Sequence, residues 1–298
     1  MLKILRLPSV RTWWVGLGLA LGGALSLGIT SCHKDDSSPT PALAANVKLA
    51  TSATLGPMLT DSVGNSLYAF ALDADGVNTC TSAACNPMWP VYFGGTVRVP
   101  AGMNATDFST KKTADGRSQT FYKGWPLYYY APLVSGVNTR EAAGLTGGNG
   151  IGGVWFVVNP SYGVTLARKS VLDQTTKTAT TKSYLVDDQG RTLYYFAKDD
   201  AQPTTQPTNC TGGCATAWPA LYQSAPATPS ALKASDFGSI TRAASTTTGP
   251  YGTTTSSTQQ LTYKGHPLYY FAGDNATRGQ VTGDHLSSFG DFWYVAVP

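Results

Sequence analysis

Charge is what this sequence has least of. Only 13% of its 298 residues are Asp, Glu, Lys or Arg, and three are histidines. A nucleic-acid-binding chain needs a dense cationic face to displace counterions from phosphates. Here, setting aside the leading segment with Lys3, Arg6 and Arg11 lowers the net charge from +4 to +1. Nucleic-acid partners are therefore excluded. Catalytic signatures are missing too: there is no Gly-x-Ser-x-Gly, no His-Glu-x-x-His and no Cys-x-x-Cys-His. No two carboxylates stand out as the acid and base of a glycosidase. The glycine-rich stretch Gly144-Leu145-Thr146-Gly147-Gly148-Asn149-Gly150 lacks a following Lys-Ser/Thr and reads as a loop. With His33 near the amino terminus, His266 and His285 are the histidines left, and neither sits in a nucleophile or metal motif. They are weak candidates for copper or zinc with Asp274 or Asp284. The expectation is no catalytic residue, no metal and no cofactor.

Long apolar runs are absent except for one. Trp13 to Leu27 follows the three cations, is interrupted by glycines such as Gly16, Gly18 and Gly22, and closes on Ile29-Thr30-Ser31-Cys32. A cationic start, an apolar stretch and small residues make a secretion signal. The closing tetrad resembles the lipobox of bacterial lipoproteins, in which the cysteine becomes the acylated amino terminus. The competing reading is an uncleaved anchor, since Trp13–Thr30 is nearly long enough to span a bilayer. The lipoprotein reading assigns residues 1–31 to the signal peptide, Cys32 to lipidation and residues 32–46 to a flexible tether, because a Pro-, Thr- and Ala-rich segment buries no core. The membrane is then a partner through the amino-terminal lipid. Lys34-Asp35-Asp36 resembles the export signal of Bacteroidetes lipoproteins, which implies an outer-membrane lipoprotein, periplasmic or, preferably, displayed at the surface.

Five cysteines are present. With Cys32 taken by lipid, Cys80 with Cys85 and Cys210 with Cys214 form two close pairs, which export to an oxidising compartment makes disulfides. Each closes a short loop worth about 2 kcal/mol. The spacings, Cys-x4-Cys and Cys-x3-Cys, differ from the Cys-x-x-Cys of redox catalysts, and their inequality argues against a four-thiolate zinc site.

What the chain has in abundance is repetition. Val47-Lys48-Leu49-Ala50 returns as Val164-Thr165-Leu166-Ala167, and Trp89-Pro90 as Trp218-Pro219. Tyr122-Lys123-Gly124-Trp125-Pro126-Leu127 returns as Tyr263-Lys264-Gly265-His266-Pro267-Leu268, and Trp155-Phe156-Val157 as Trp293-Tyr294-Val295. Solenoid repeats run only about 20–50 residues, so this long period is a duplicated domain, with copies at 47–160 and 164–298. Within each copy the apolar residues alternate in short runs rich in Tyr, Phe, Val and Thr, which indicates strands. Asp61 to Asn65, Asp187 to Arg191, Lys123-Gly124 and Lys264-Gly265 read as hairpin turns. The fold class is all-β: two tandem related domains of short antiparallel strands and hairpins. Whether the copies pack together or swing on Gln174 to Lys182 is open at this level.

Four aromatic strands share a finer signature. Tyr68-x-Phe70-x-x-Asp73, Tyr194-x-Phe196-x-x-Asp199 and Tyr269-x-Phe271-x-x-Asp274 match it, whereas Tyr128-x-Tyr130-x-x-Leu133 loses the acid. This pattern resembles the predicted lipoproteins named for a Tyr-x-(Phe/Trp/Tyr)-x-x-Asp motif, also described as a secreted repeat of unknown function. The resemblance covers nearly all of residues 47–298 and implies two tandem copies, but no activity. Residues i and i+2 of a strand share a face, so each motif makes an aromatic pair with an acid just beyond it. That arrangement serves either as core and turn cap, or as an aromatic platform with acidic edges for a sugar or cation.

Three classes of function fit. The leading one is a lipid-anchored envelope or surface protein acting as a non-catalytic binding or structural module for a protein or glycan. The second is a metal-binding or redox accessory lipoprotein resting on His266, His285 and the cysteine pairs. The third is a carbohydrate-active enzyme.

Overall fold

The structure is a computed structural model and describes residues 45–199, 209–242, 246–255 and 259–298. Residues 1–44, which hold the expected signal peptide, the expected lipidation site Cys32 and most of the expected tether, lie outside the described residues. No helix among those described is long and apolar enough to cross a membrane.

The chain is all-β, built from short antiparallel hairpins, and each copy repeats one plan. An opening hairpin pairs Val47–Ser52 with Gly56–Asp61 in the first copy. In the second, Val164–Leu172 pairs with Ala179–Asp187. Both turn on an aspartate: the Asp61 carboxylate accepts the N–H groups of Val63, Gly64 and Asn65, each at 2.9 Å. Asp187 accepts those of Gln189 and Arg191, also at 2.9 Å. Short side chains that satisfy turn amides in this way are why Asp opens such turns. A motif strand follows, Tyr68–Phe70 or Tyr194–Phe196, and pairs with the closing tryptophan strand of the same copy, Phe70 facing Trp155 and Phe196 facing Trp293.

A second hairpin, Phe108–Lys112 with Ser118–Tyr122, continues into Trp125–Pro126. Its counterpart is Phe237–Thr241 with Gln259–Tyr263, continuing into His266–Pro267. The two-residue turns are left-handed throughout: φ is 46° at Lys123 and 79° at Gly124, 48° at Lys264 and 83° at Gly265. Two positive φ values in succession give the turn whose twist matches a hairpin. Among the described residues helix is confined to single turns such as Cys85–Met88 and Gly213–Ala217, each carrying the second cysteine of its pair.

The described residues fall in one compact unit, so the two copies pack together. Residues 174–182 are the turn and returning strand of the second opening hairpin, held by the Asp173 carboxylate, which accepts the N–H groups of Thr175 and Thr176. The seam between the copies is apolar at its centre. Ala71 and Phe156 of the first copy cluster with Leu166 and Leu185 of the second, and Ala74 and Trp125 cluster with Tyr184 and Trp218. Polar contacts frame it. The Trp125 indole N–H donates to the Asp188 carbonyl at 3.0 Å, Lys123 meets the Asp188 carboxylate at 2.6 Å, and Lys169 pairs with Asp75.

Arg278 crosses the seam, donating from Nε to the Ala74 carbonyl and from Nη1 to the Lys123 carbonyl, both at 2.8 Å. Burial pushes its pKa down to about 10. The guanidinium fits because residue 124 is glycine: a β-carbon there would lie 1.6 Å from Nη1. Removing one partner of a buried hydrogen bond to a charged group leaves the other unsatisfied, at about 1–3 kcal/mol. Arg278→Ala is expected to destabilise the chain by that order and Gly124→Ala to do the same by displacing the guanidinium, both read as a lower midpoint in urea unfolding.

Candidate functional site

The motif tyrosines and acids meet at the centre of each copy, and they meet crosswise. The two motif strands of a copy touch through their leading tyrosines, whose backbones exchange both hydrogen bonds: Tyr68 with Tyr128 at 2.9 Å, Tyr194 with Tyr269 at 2.8 Å. Beyond this contact each phenol reaches the carboxylate of the other half. Tyr194 donates to Asp274 Oδ2 at 2.7 Å, and Tyr269 to Asp199 Oδ2 at 2.6 Å. In the first copy Tyr128 donates to Asp73 Oδ2 at 2.5 Å.

The remaining oxygen of each carboxylate is also engaged. Asp73 Oδ1 accepts from the Thr79 N–H and hydroxyl, Asp274 Oδ1 from those of Thr282, and Asp199 Oδ1 from the Asn209 N–H. All four leading tyrosines are fully buried, and the three aspartates nearly so.

The fourth motif, which carries the exposed Leu133 in place of its acid, is completed from elsewhere. Tyr68 donates to Glu141, whose second oxygen accepts the Gly147 N–H at 2.9 Å. Motif spacing misses this residue because it comes from a later loop. One signal was available: Glu141 is the only glutamate in the sequence, and it falls in the half that lacks its aspartate. Spacing also misses the tyrosine at the middle position of the later motifs. Tyr129 and Tyr270 donate back to the opening-turn acids Asp61 and Asp187, at 3.0 and 2.9 Å.

The second aromatic of each motif packs crosswise as well. Phe196, Trp293, Trp218 and Phe271 form one stack with successive ring centroids 4.3, 3.9 and 4.2 Å apart. Phe70, Trp155, Trp89 and Tyr130 repeat it at 3.9, 3.8 and 4.7 Å. These rings form the cores of the copies; Tyr130 and Phe271, at the stack ends, are partly exposed. An external platform made from the motif residues is not what the fold builds.

Disulfides Cys80–Cys85 and Cys210–Cys214 staple the loops between motif strand and tryptophan, with Cα separations of 5.4 and 5.1 Å. Cys80, Cys210 and Cys214 are buried, and Cys85 is partly exposed. His285 lies with Nδ1 3.2 Å from Asp284 Oδ2 and 3.6 Å from Asp173 Oδ2. Asp284 is buried and also binds Lys182 at 2.6 Å and the Val295 N–H at 3.0 Å. His266 packs on Tyr195, with ring centroids 4.8 Å apart. The two histidines stand at opposite ends of a row of rings, His266, Tyr195, Tyr294 and His285. Asp274 turns inward to Tyr194 and Thr282. Among the described residues no group of three or more His, Cys, Asp or Glu is placed to hold a metal ion.

Burial dominates the electrostatics. It pushes the Asp73 carboxyl up to about 6, against hydrogen bonds from Thr79 and Tyr128 that favour the anion. It likewise raises Asp274, Asp187 and Glu141 above the usual carboxylate range. Burial works against the anion of Asp61 too, but hydrogen bonds from Asn65, Tyr129 and Gly64 outweigh it and hold that carboxyl below its ordinary value. The leading tyrosines Tyr68, Tyr128 and Tyr194 are raised by burial and by the neighbouring carboxylates, and so stay protonated donors.

A family model described as a secreted repeat of unknown function matches residues 175–222 and 252–297. Both segments lie in the second copy, one in each of the halves that exchange phenols and carboxylates. No curated protein and no solved structure matches the chain.

A phenol donating to a buried carboxylate is a charge-assisted bond worth about 1.5–3 kcal/mol. Tyr194→Phe and Tyr269→Phe are each expected to destabilise the chain by that order, measured by denaturant unfolding. A carboxyl whose folded pKa is raised binds its proton more readily folded than unfolded, so its contribution to stability is present at low pH and is lost as pH rises. Between pH 4 and pH 6 the Asp73 contribution therefore declines, and Asp73→Asn is expected to flatten the fall in midpoint across that window.

Proposed function

We propose that this chain is a lipid-anchored module of the bacterial cell envelope, held by Cys32 at the outer membrane, that binds a protein or glycan partner without transforming it. The observation that carries the reading is the saturation of the motif. Asp73, Asp199 and Asp274 each accept a buried phenol on one oxygen and loop donors on the other, so the repeat's signature residues are committed to folding. A catalytic carboxylate instead needs an oxygen aimed at a substrate. The likeness to secreted repeats and the signal ending at Cys32 support the location.

Metabolic labelling with a palmitate analogue tests the anchor: the wild-type chain takes up label and fractionates with membranes, and Cys32→Ser does neither. Asp274→Asn tests the role of the motif. Its expected effect is a lower midpoint, at about 2–4 °C per kcal/mol for a chain of this size. A variant that kept its midpoint and lost a turnover activity would overturn the reading.

A further inference from the structure

The two copies differ at one face, and the difference points to a binding surface on the second. On the first copy, the turn Lys123-Gly124-Trp125 is covered by the opening hairpin of the second. One residue of that hairpin, Asp188, satisfies both functional groups of the turn: its carboxylate takes the Lys123 ammonium at 2.6 Å and its carbonyl takes the Trp125 indole N–H at 3.0 Å. Leu166 of the same hairpin packs with Ala71 and Phe156.

The second copy rebuilds this face. Lys264-Gly265-His266 follows the same left-handed path, with φ within 4° of the first copy at both turn residues. Tyr195 and Tyr294 stand where the first copy has Ala69 and Phe156. What differs is the cover: Lys264 is exposed where Lys123 is half-buried, and His266 and Tyr294 are partly exposed where Trp125 and Phe156 are buried. The described residues supply no carboxylate to Lys264, whose ammonium lies over the Tyr263 ring 5.2 Å from its centroid, and the imidazole Nδ1 of His266, though itself buried, has no hydrogen-bond partner among them. Beside the turn is a cavity of about 220 Å³ whose walls include Tyr195, Tyr263, Lys264, His266 and Val297, with no acidic side chain among its lining residues.

We propose that this face is a docking site for an aspartate-bearing β-turn of a partner protein. The inference deepens the binding-module reading and rests on it. Its chemistry comes from the first copy, where the same turn type selects one carboxylate for the lysine and one carbonyl for the ring at residue 125. The partly exposed rings of Tyr195 and Tyr294 add an amphipathic floor of the kind that anchors protein interfaces. A second molecule of this chain is the poorer occupant. Its free opening hairpin carries Ser62 where the second copy has Asp188 and Ser52 where it has Lys169. Ala143 occupies the place of Arg278, because Gly144 and Gly279 bond to Gly64 and Gly190 in the same way. The carboxylate that takes the lysine, the Lys169 ammonium and the Arg278 guanidinium would all be missing.

The test is calorimetric titration of the full chain, purified in detergent, with a synthetic hairpin peptide of residues 183–193, which carries Asp188 in its native turn. Saturable one-to-one binding is expected. Lys264→Ala in the protein and Asp188→Asn in the peptide should each weaken it at least tenfold, about 1.4 kcal/mol or more, while His266→Trp, which restores the first copy's indole, should preserve or tighten it. Lys264 is exposed, so its variant folds. Absence of saturable binding at millimolar peptide, or equal binding by Lys264→Ala, would sink the docking site. So would sedimentation showing that the chain associates with itself and that Lys264→Ala abolishes the association. None of these outcomes touches the envelope-module reading, which stands or falls on the Cys32 and Asp274 variants.

Discussion

Each copy depends on an exchange. A buried phenol in one half donates to a carboxylate that belongs to the other half, and the return bond runs the opposite way. Taken singly, either half would bury a tyrosine hydroxyl without an acceptor and leave one oxygen of its acid without a donor, each costing on the order of 1–3 kcal/mol. Taken together, the two halves satisfy all four groups and bring the strands into register, so that Trp218 and Trp293 stack face to face 3.9 Å apart. The segments similar to secreted repeats, residues 175–222 and 252–297, are thus two parts of one cooperative body. Their pairing follows from which polar atoms can be satisfied where.

The exchange also explains how the first copy tolerates a broken motif. The constraint is that Tyr68 must find an acceptor inside the core, whatever residue supplies it. Glu141 reaches the phenol from a later loop, and the freed position, Leu133, moves to a short exposed hairpin with Val137–Asn138. A longer side chain arriving from farther along the chain does the work of the aspartate, with Gly147 playing the part Thr282 plays in the second copy.

Between the copies a different logic holds. The seam joins surfaces that are related by sequence but used asymmetrically: Trp125 with Lys123 faces inward, and His266 with Lys264 faces out. Three residues of this face change with their environment. Trp becomes His, Ala69 corresponds to Tyr195 and Phe156 to Tyr294, so the residues that lie in the seam of the first copy become more polar or amphipathic on the outer face of the second. The cores beneath, Phe–Trp–Trp–Phe and Phe–Trp–Trp–Tyr, change far less, because a close-packed stack accepts only rings of similar shape.

Much of the architecture was legible in the sequence. Period-two alternation identified the strands, Asp and Lys-Gly the turns, and close cysteine spacing the staples, because each of these is decided by residues within a few positions of one another. The motif tyrosines and acids were visible as a set, and a core-and-cap role was among the readings they allowed. What local spacing could not decide was direction: whether a given aspartate serves its own strand or another, that Glu141 replaces an acid missing at Leu133, or which of two similar turns is covered. Those outcomes depend on atoms brought together from distant parts of the chain, Tyr194 with Asp274 and Trp125 with Asp188. The sequence by itself determined the strands, the turns and the duplication. Only the tertiary structure decided that the motif is spent inside the fold and that the described residues leave the face around Lys264 and His266 uncovered, since burial and hydrogen-bond partnership come into being when the chain closes on itself.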